Sequence, residues 1–179
     1  KFWLTALDPI SGEIEWTQKI VEAAPHEGHH RTNTYAGGSP ATDGERLYLS
    51  LGSRGLYAFD LDGKKLWEKS LGQMRTRRGW GEASPVAVRG QHLIVPWDQE
   101  DQSRLLCLDP ASGDVKWEVL RDEPSNWSTP VFLPEQTGLQ VVVNGTNRAR
   151  GYDVLTGKSL WEVGSLSCLL YTSDAADDP

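Results

Sequence analysis

One short phrase is written four times along this 179-residue chain, and no other feature limits its fold so strongly. The copies are ALDPISGEIEW (6–16), AFDLDGKKLW (58–67), CLDPASGDVKW (107–117) and GYDVLTGKSLW (151–161). Each runs small residue, spacer, Asp, short turn, Gly, three residues, Trp. The repeat positions are therefore Asp8, Gly12 and Trp16; Asp60, Gly63 and Trp67; Asp109, Gly113 and Trp117; and Asp153, Gly157 and Trp161. The tryptophans stand 51, 50 and 44 residues apart. A second landmark, Ser39-Pro40, Ser84-Pro85 and Thr129-Pro130, recurs between them at spacings of 45 and 45. Two interleaved landmarks with one period mark an internal repeat.

Each period holds four strand-like runs, as in GGSPAT, RLYLSL, GLYAFD and KKLWEKSL. In RLYLSL, Leu47, Leu49 and Leu51 alternate with Tyr48 and Ser50, the period of two expected of a half-buried strand. TDGERL, VRGQHL and PEQTGL supply a first tight turn, and the Asp…Gly element supplies a last one. Four antiparallel strands every 44–51 residues describe a β-propeller blade. The predicted fold is an all-β, incomplete propeller of about three and a half blades. It comprises a partial blade over 1–22 and blades at about 36–71, 82–120 and 127–164. A residue repeated in every blade serves the blade, so the four aspartates are expected to brace turns rather than catalyse. Each Trp is expected to pack between neighbouring blades, with the small residue (Ala6, Ala58, Cys107, Gly151) leaving room.

Totals exclude several classes. The formal charge of −7 argues against a general nucleic-acid binder. No apolar run is long enough to span a bilayer. Cys107 and Cys168 match no metal or redox spacing. The first residues, KFWLTALD, show neither an initiator methionine nor a signal peptide, so they do not indicate a compartment. SCLLYTSDAADDP (167–179) matches no earlier repeat and resembles translated sequencing adapter. It is expected to be an artefactual or disordered tail behind a domain at 1–166.

The four phrases resemble the tryptophan-docking motif, A-x-D-x-x-[ST]-G-x-x-x-W, of the pyrroloquinoline-quinone-like (PQQ-like) propeller repeats. Those repeats build both quinoprotein dehydrogenases and the lipoprotein scaffold of the outer-membrane protein assembly machine. The resemblance covers 1–166. It departs from the motif at DLDG, which is one residue short and lacks Ser or Thr before Gly63. It implies a periplasmic, extracellular or envelope-associated bacterial protein.

An up-and-down blade puts alternate turns on opposite faces, and the long connections (23–37, 52–55, 72–81, 97–104, 121–127 and 144–148) share one face. Long loops on a rigid scaffold commonly carry binding. These segments hold eight of the eleven arginines, no lysine and six acids, a net +2 against −6 for the rest of 1–166. Arginine's planar fork suits carboxylates and phosphates. The candidate ligand-binding residues on this face are His26, His29, His30, Arg31, Arg75, Arg77, Arg78, Trp80, Trp97, Asp98, Trp127, Asn144, Asn147 and Arg148. A blander reading has the arginines bridging loops through Asp98, Asp101 and Asp122. HEGHHRTNTY (26–35) is histidine-rich, but adjacent His29 and His30 in a glycine-containing loop cannot easily converge on one tetrahedral zinc, and no metal is expected.

Three functions compete. The first is a non-catalytic binding or scaffold module without a cofactor, offering its loop face to a protein or to an anionic or glycan-like ligand. The second is part of a PQQ-dependent dehydrogenase. The resemblance then implies a quinone over calcium with a vicinal cysteine disulfide and an aspartate base. No Cys-Cys pair is present, and Asn144 and Asp98 alone fall short of calcium's six to eight oxygens. The third is a hydrolase or lyase using Asp98, Glu100 and Asp101. Uncovered blade flanks expose apolar surface and strand edges. Residues 1–166 expressed alone should therefore self-associate, and a cooperatively melting monomer in sedimentation would refute this.

Overall fold

The computed structural model describes residues 1–82 and 84–164. The tail expected at 167–179, and Cys168 with it, lies outside the described residues. Among the described residues, fourteen strands form four antiparallel meanders. β1 (Phe2–Leu7) and β2 (Ile14–Val21) make a two-stranded sheet. β3 (Ala41–Thr42), β4 (Arg46–Ser50), β5 (Leu56–Asp60) and β6 (Lys65–Lys69) make the second. β7 (Ala87–Arg89), β8 (His92–Trp97), β9 (Ser103–Leu108) and β10 (Val115–Arg121) make the third. β11 (Val131–Phe132), β12 (Gln140–Asn144), β13 (Ala149–Asp153) and β14 (Ser159–Val163) make the fourth. β3, β7 and β11 lie beside one another, so the sheets radiate from their first strands as propeller blades do.

The core lies between sheets rather than within one. Leu47, Leu49, Leu51, Tyr57 and Phe59 of the second sheet pack on Phe2, Leu4 and Ile20 of the first. Tyr48, Leu56 and Ala58 face the other way, onto Leu93, Val95, Leu106 and Leu108. Ile94, Leu105 and Cys107 meet Val141, Val143, Tyr152 and Val154 in a third layer. The half-buried strand expected at RLYLSL is thus buried on both faces around Tyr48 and Leu49. The physical reason is that an inner blade is sandwiched between two neighbours, so its alternation separates two cores.

The repeated phrase builds the joint between sheets. Trp16 donates Nε1 to the Leu61 carbonyl at 3.0 Å, Trp67 to Pro110 at 2.9 Å, and Trp117 to Val154 at 2.8 Å. Each acceptor follows the motif aspartate of the next sheet. Each indole also occupies the space a side chain would fill on that sheet's glycine. A Cβ on Gly63, Gly113 or Gly157 would come 2.7, 2.9 or 2.7 Å from Trp16, Trp67 or Trp117. These glycines also take φ of +82°, +76° and +72°, which L side chains resist. Within each sheet the Trp stands directly opposite the small residue: Ala6↔Trp16, Ala58↔Trp67, Cys107↔Trp117 and Gly151↔Trp161. A ladder irregularity sits beside every one of these pairs, as a bulge that re-aims a side chain does.

The aspartates hold the receiving turns. Asp8 Oδ1 accepts the Ile10 and Ser11 amides at 3.0 and 2.6 Å, and Asp109 Oδ1 those of Ala111 and Ser112 at 2.9 and 3.3 Å. Asp153 Oδ1 takes both the amide and hydroxyl of Thr156. In these three turns the Gly amide reaches back four residues to the Asp carbonyl. In the short DLDG copy Gly63 N bonds Asp60 O three residues back, which absorbs the missing residue without moving Gly63 from under Trp16. The Ser11 amide holds the Asp8 carboxyl below its ordinary value, the Lys116 ammonium does so for Asp109, and the Thr156 hydroxyl for Asp153.

Two outcomes follow. Trp67→Ala should lower stability by about 3–5 kcal/mol, the usual cost of deleting a large packed side chain, seen as an earlier urea midpoint. A loss under about 1 kcal/mol would mean that the joint is not structural. Depressed carboxylates contribute stability above their unfolded pKa, about 3.9, and lose it as pH falls toward their folded values. Thermal midpoints should thus drop on acidification below about pH 4, and Asp109→Asn together with Asp153→Asn should flatten that drop.

Candidate functional site

Six connections leave the same ends of the strands. Three cross between sheets (22–40, 70–86 and 122–130) and three join the second strand of a sheet to its third (51–55, 98–102 and 145–148). The crossings interlock. His30 N and Asn33 Nδ2 both donate to Trp80 O, at 3.0 and 3.1 Å. Trp127 Nε1 donates to Gly81 O at 2.8 Å, and Arg77 N to Ser125 Oγ at 2.9 Å. Ser125 O then accepts Thr146 Oγ1 at 2.9 Å, which ties the last crossing to the fourth sheet.

The histidines do not converge. His29 packs edge-on against Tyr35 at 4.5 Å, whereas His30 packs edge-on against Trp80 at 5.8 Å. His26 Nε2 lies 2.7 Å from Met74 O and 3.2 Å from Glu82 Oε1. His26, Glu27 and Glu82 bring one ligand atom each within 4.8 Å of one another, which by position alone could suit a cation. Their chemistry points elsewhere. Glu82 is buried and already accepts Ser53 N at 2.7 Å, Ser53 Oγ at 2.6 Å and Arg54 Nη1 at 2.8 Å. A divalent ion would share that carboxylate with a guanidinium. Glu27 likewise takes Thr76 Oγ1 at 2.5 Å. The group reads as a latch across three segments.

Several expected ligand residues prove interior. Trp97 is 1% exposed and belongs to the layer between the second and third sheets. Trp127 is 6% exposed. Asp98 and Arg121 form a fully buried fork, Nε to Oδ1 at 2.7 Å and Nη2 to Oδ2 at 3.0 Å, with Arg121 Nη1 on Tyr152 Oη at 2.6 Å. Burial raises the Asp98 carboxyl, and the guanidinium opposes that rise. The desolvation of such a pair offsets much of its attraction, while removing one partner would leave the other charge buried alone. Arg75 pairs with Asp101 at 2.7 Å and Arg148 with Asp122 at 2.6 Å, so Asp98, Asp101 and Asp122 each hold an arginine. Asn144 lends its carbonyl to Ser128 Oγ and Asn126 Nδ2, and the exposed Asn147 gives its amide to Glu123 Oε2 at 2.8 Å.

What stays on the surface is a smaller cluster. Arg31 and Arg78 are exposed and Arg77 half-buried, and none has an ion pair among the described residues. Arg78 sits over Trp80 at 5.8 Å, and Trp80 in turn lies 6.1 Å from Trp127. Arg78 has φ +53° and ψ +20°, the one non-glycine residue in the left-handed region among those described. Sequence reasoning missed Glu82, Glu123 and Arg150. Glu123 is buried against Gly145 and bonded to Arg150 Nη1 at 3.2 Å; Arg150 also reaches Asp122 and Glu162. Their signal was indirect, since Gly52 and Gly145 begin the turns where a Cβ would strike Glu82 or Glu123.

The residues present do not fit a calcium-held quinone. Both Asp98 oxygens are committed to Arg121, and Cys107 is a buried free thiol opposite Trp117. Burial pushes that thiol up to about 11. Nor do Asp98, Glu100 and Asp101 form an acid–base pair: Glu100 accepts Ser125 N at 3.1 Å and Asp101 is bound to Arg75.

Comparison with known proteins places this geometry. No curated protein matches. The fold is similar to BamB from Moraxella catarrhalis, at 18% identity and TM-score 0.62, covering 90% of this chain and 42% of that one. It is also similar to a europium-containing methanol dehydrogenase (13%, 0.64, 90% and 38%) and to the quinohemoprotein alcohol dehydrogenase of Comamonas testosteroni (12%, 0.64, 92% and 32%). At such identities the likeness shows the fold alone. The chain spans less than half the length of each of these structures. The family model described as outer membrane protein assembly factor BamB matches residues 1–168, and the chain belongs to that family of PQQ-like repeat propellers.

Proposed function

We propose that the chain is a non-catalytic propeller module of the bacterial envelope that presents its crossing-loop face to a protein partner. The family and fold support a scaffold, since the repeat aspartates hold turns and Trp16, Trp67 and Trp117 hold the joints between sheets. The observation that carries the choice of face is the cluster in which exposed Arg31 and Arg78 and half-buried Arg77 surround half-buried Trp80. Arg78 stacked on it, with Arg31 and Arg77 free of acids, offers cations and aromatic edges together. Arginine and tryptophan are the residue types that anchor protein interfaces. An acidic surface rich in apolar contacts is the complementary chemistry. Six other charged residues of the face, Asp98, Asp101, Asp122, Arg75, Arg121 and Arg148, close the loops on one another and give that cluster a rigid seat.

The test uses immobilised chain exposed to detergent extract of bacterial envelopes, with Arg77→Glu/Arg78→Glu beside the parent. The double variant should keep its far-ultraviolet spectrum and lose the bound proteins by about tenfold or more. Equal retention on a folded variant would exclude this face. Titration of the parent with PQQ and calcium provides the opposing arm: stoichiometric uptake with dye-linked alcohol oxidation would replace the scaffold reading with a quinoprotein.

A further inference from the structure

Of the eleven arginines in the chain, eight bond a carboxylate or a carbonyl of the protein itself. The three whose guanidiniums bond no acceptor among the described residues are Arg31, Arg77 and Arg78. They gather in one place. Arg77 and Arg78 lead into Trp80 through a single turn, and Arg31 follows His30, whose ring packs on Trp80 at 5.8 Å. Each of these forks carries five N–H donors that nothing in the fold uses.

Arg78 differs from the other two in its backbone. At twelve other positive-φ positions among the described residues the chain places glycine, and at Arg78, with φ +53° and ψ +20°, it places a long side chain. An L residue is disfavoured there, whereas glycine is not. The turn cannot relax, because it is fixed from outside at every step. Glu27 Oε1 accepts the amide and hydroxyl of Thr76 at 3.1 and 2.5 Å, and Ser125 Oγ accepts the Arg77 amide at 2.9 Å. The Trp80 carbonyl accepts His30 N and Asn33 Nδ2, and the Gly81 carbonyl accepts Trp127 Nε1 at 2.8 Å. Backbone strain survives only where its surroundings over-determine it, and it collects at ligand clamps. Glycine at 78 would suit this turn better, so the arginine serves something other than the turn.

We propose that Arg78 is the anchor of the loop face, and that the group it takes from the partner is a carboxylate carried beside an apolar side chain. This rests on the loop-face reading above and narrows it to one residue and one functional group. Arg78 Cζ lies over the Trp80 ring, 5.8 Å from its centroid. A guanidinium over an aromatic ring keeps its N–H donors at its own edge, so the ring contact and a two-pronged carboxylate bond do not compete. The strained turn and the ring together hold the fork in place before the partner arrives, which lowers the ordering cost of binding. Arg31 and Arg77 add charge beside it, which favours an acidic segment over a neutral one. Trp80, with Trp127 6.1 Å away, supplies the apolar surface for the neighbouring side chain.

The experiment is calorimetric titration of the full chain with two amidated peptides, Gly-Glu-Phe-Glu-Glu-Phe and its counterpart Gly-Gln-Phe-Gln-Gln-Phe. The parent should bind the acidic peptide about tenfold or more tightly than the glutamine one, as charge-assisted bonds require. Added salt should weaken that binding. Arg78→Gly should lose about tenfold in affinity for the acidic peptide, while its thermal midpoint rises by about 2–4 °C because the strain leaves with the side chain. A merely structural Arg78 would give a lower midpoint instead. A parent that binds neither peptide or both equally, an Arg78→Gly variant with undiminished affinity, or one whose midpoint does not rise would each overturn the proposal. The broader reading fails separately. If Arg77→Glu/Arg78→Glu binds the acidic peptide as the parent does, the face itself is wrong. If that variant loses binding and Arg78→Gly keeps it, the face stands and the anchor does not.

Discussion

The indole of one sheet resting on the bare glycine of the next is the contact on which the remaining structure depends. It asks three things of the sequence at once: a residue without Cβ at positive φ, an aspartate to hold the turn that presents it, and a small residue opposite the Trp. Remove any of these and the ring has no place to lie. Because the indole also donates to a main-chain carbonyl, the joint fixes the angle between sheets as well as their distance. The apolar layers then fill a gap whose width is already set. Hydrophobic burial supplies most of the stabilisation, and the joint supplies its geometry.

The loop face follows different physics. Apart from the Ser-Pro or Thr-Pro pair at the end of each, its crossings carry no repeated phrase, so nothing periodic positions the rest of them. They are held by charged groups at short range: Glu82 on Ser53 and Arg54, Glu123 on Asn147 and Arg150, and Asp98 on Arg121. Each of these carboxylates is nearly or wholly buried, so each must be fully bonded to be tolerated there. A site built this way keeps its few unpaired cations, Arg31, Arg77 and Arg78, on an otherwise neutralised frame.

The fold was legible in the sequence because the joint is local in sequence and recurs. Trp16 and Gly63 are far apart, yet each lies in a phrase that the eye can align. The site was legible only in outline. That the long connections hold the arginines follows from counting, but which of them stay free depends on pairings such as Arg148 with Asp122, 26 residues apart, that no period announces. Trp97 and Trp127 were misplaced on the surface for the same reason, since a Trp outside the repeat gives no signal of the neighbour that covers it. Glu82 escaped notice because its partners, the amide and hydroxyl of Ser53 and the guanidinium of Arg54, stand 29 and 28 residues before it, a pairing that no period marks.

The short DLDG turn carries an evolutionary consequence. A joint that accepts a three-residue or a four-residue closure beneath the same indole tolerates the loss of one residue from its turn. Every joint also draws on two adjacent repeats and nothing beyond them. Duplicating one 44- to 51-residue unit in the gene would add a blade with its own plug and socket, and the neighbours would notice no change. The size of such a ring is then set by how often a unit has been copied, and its loops are free to diversify from one copy to the next.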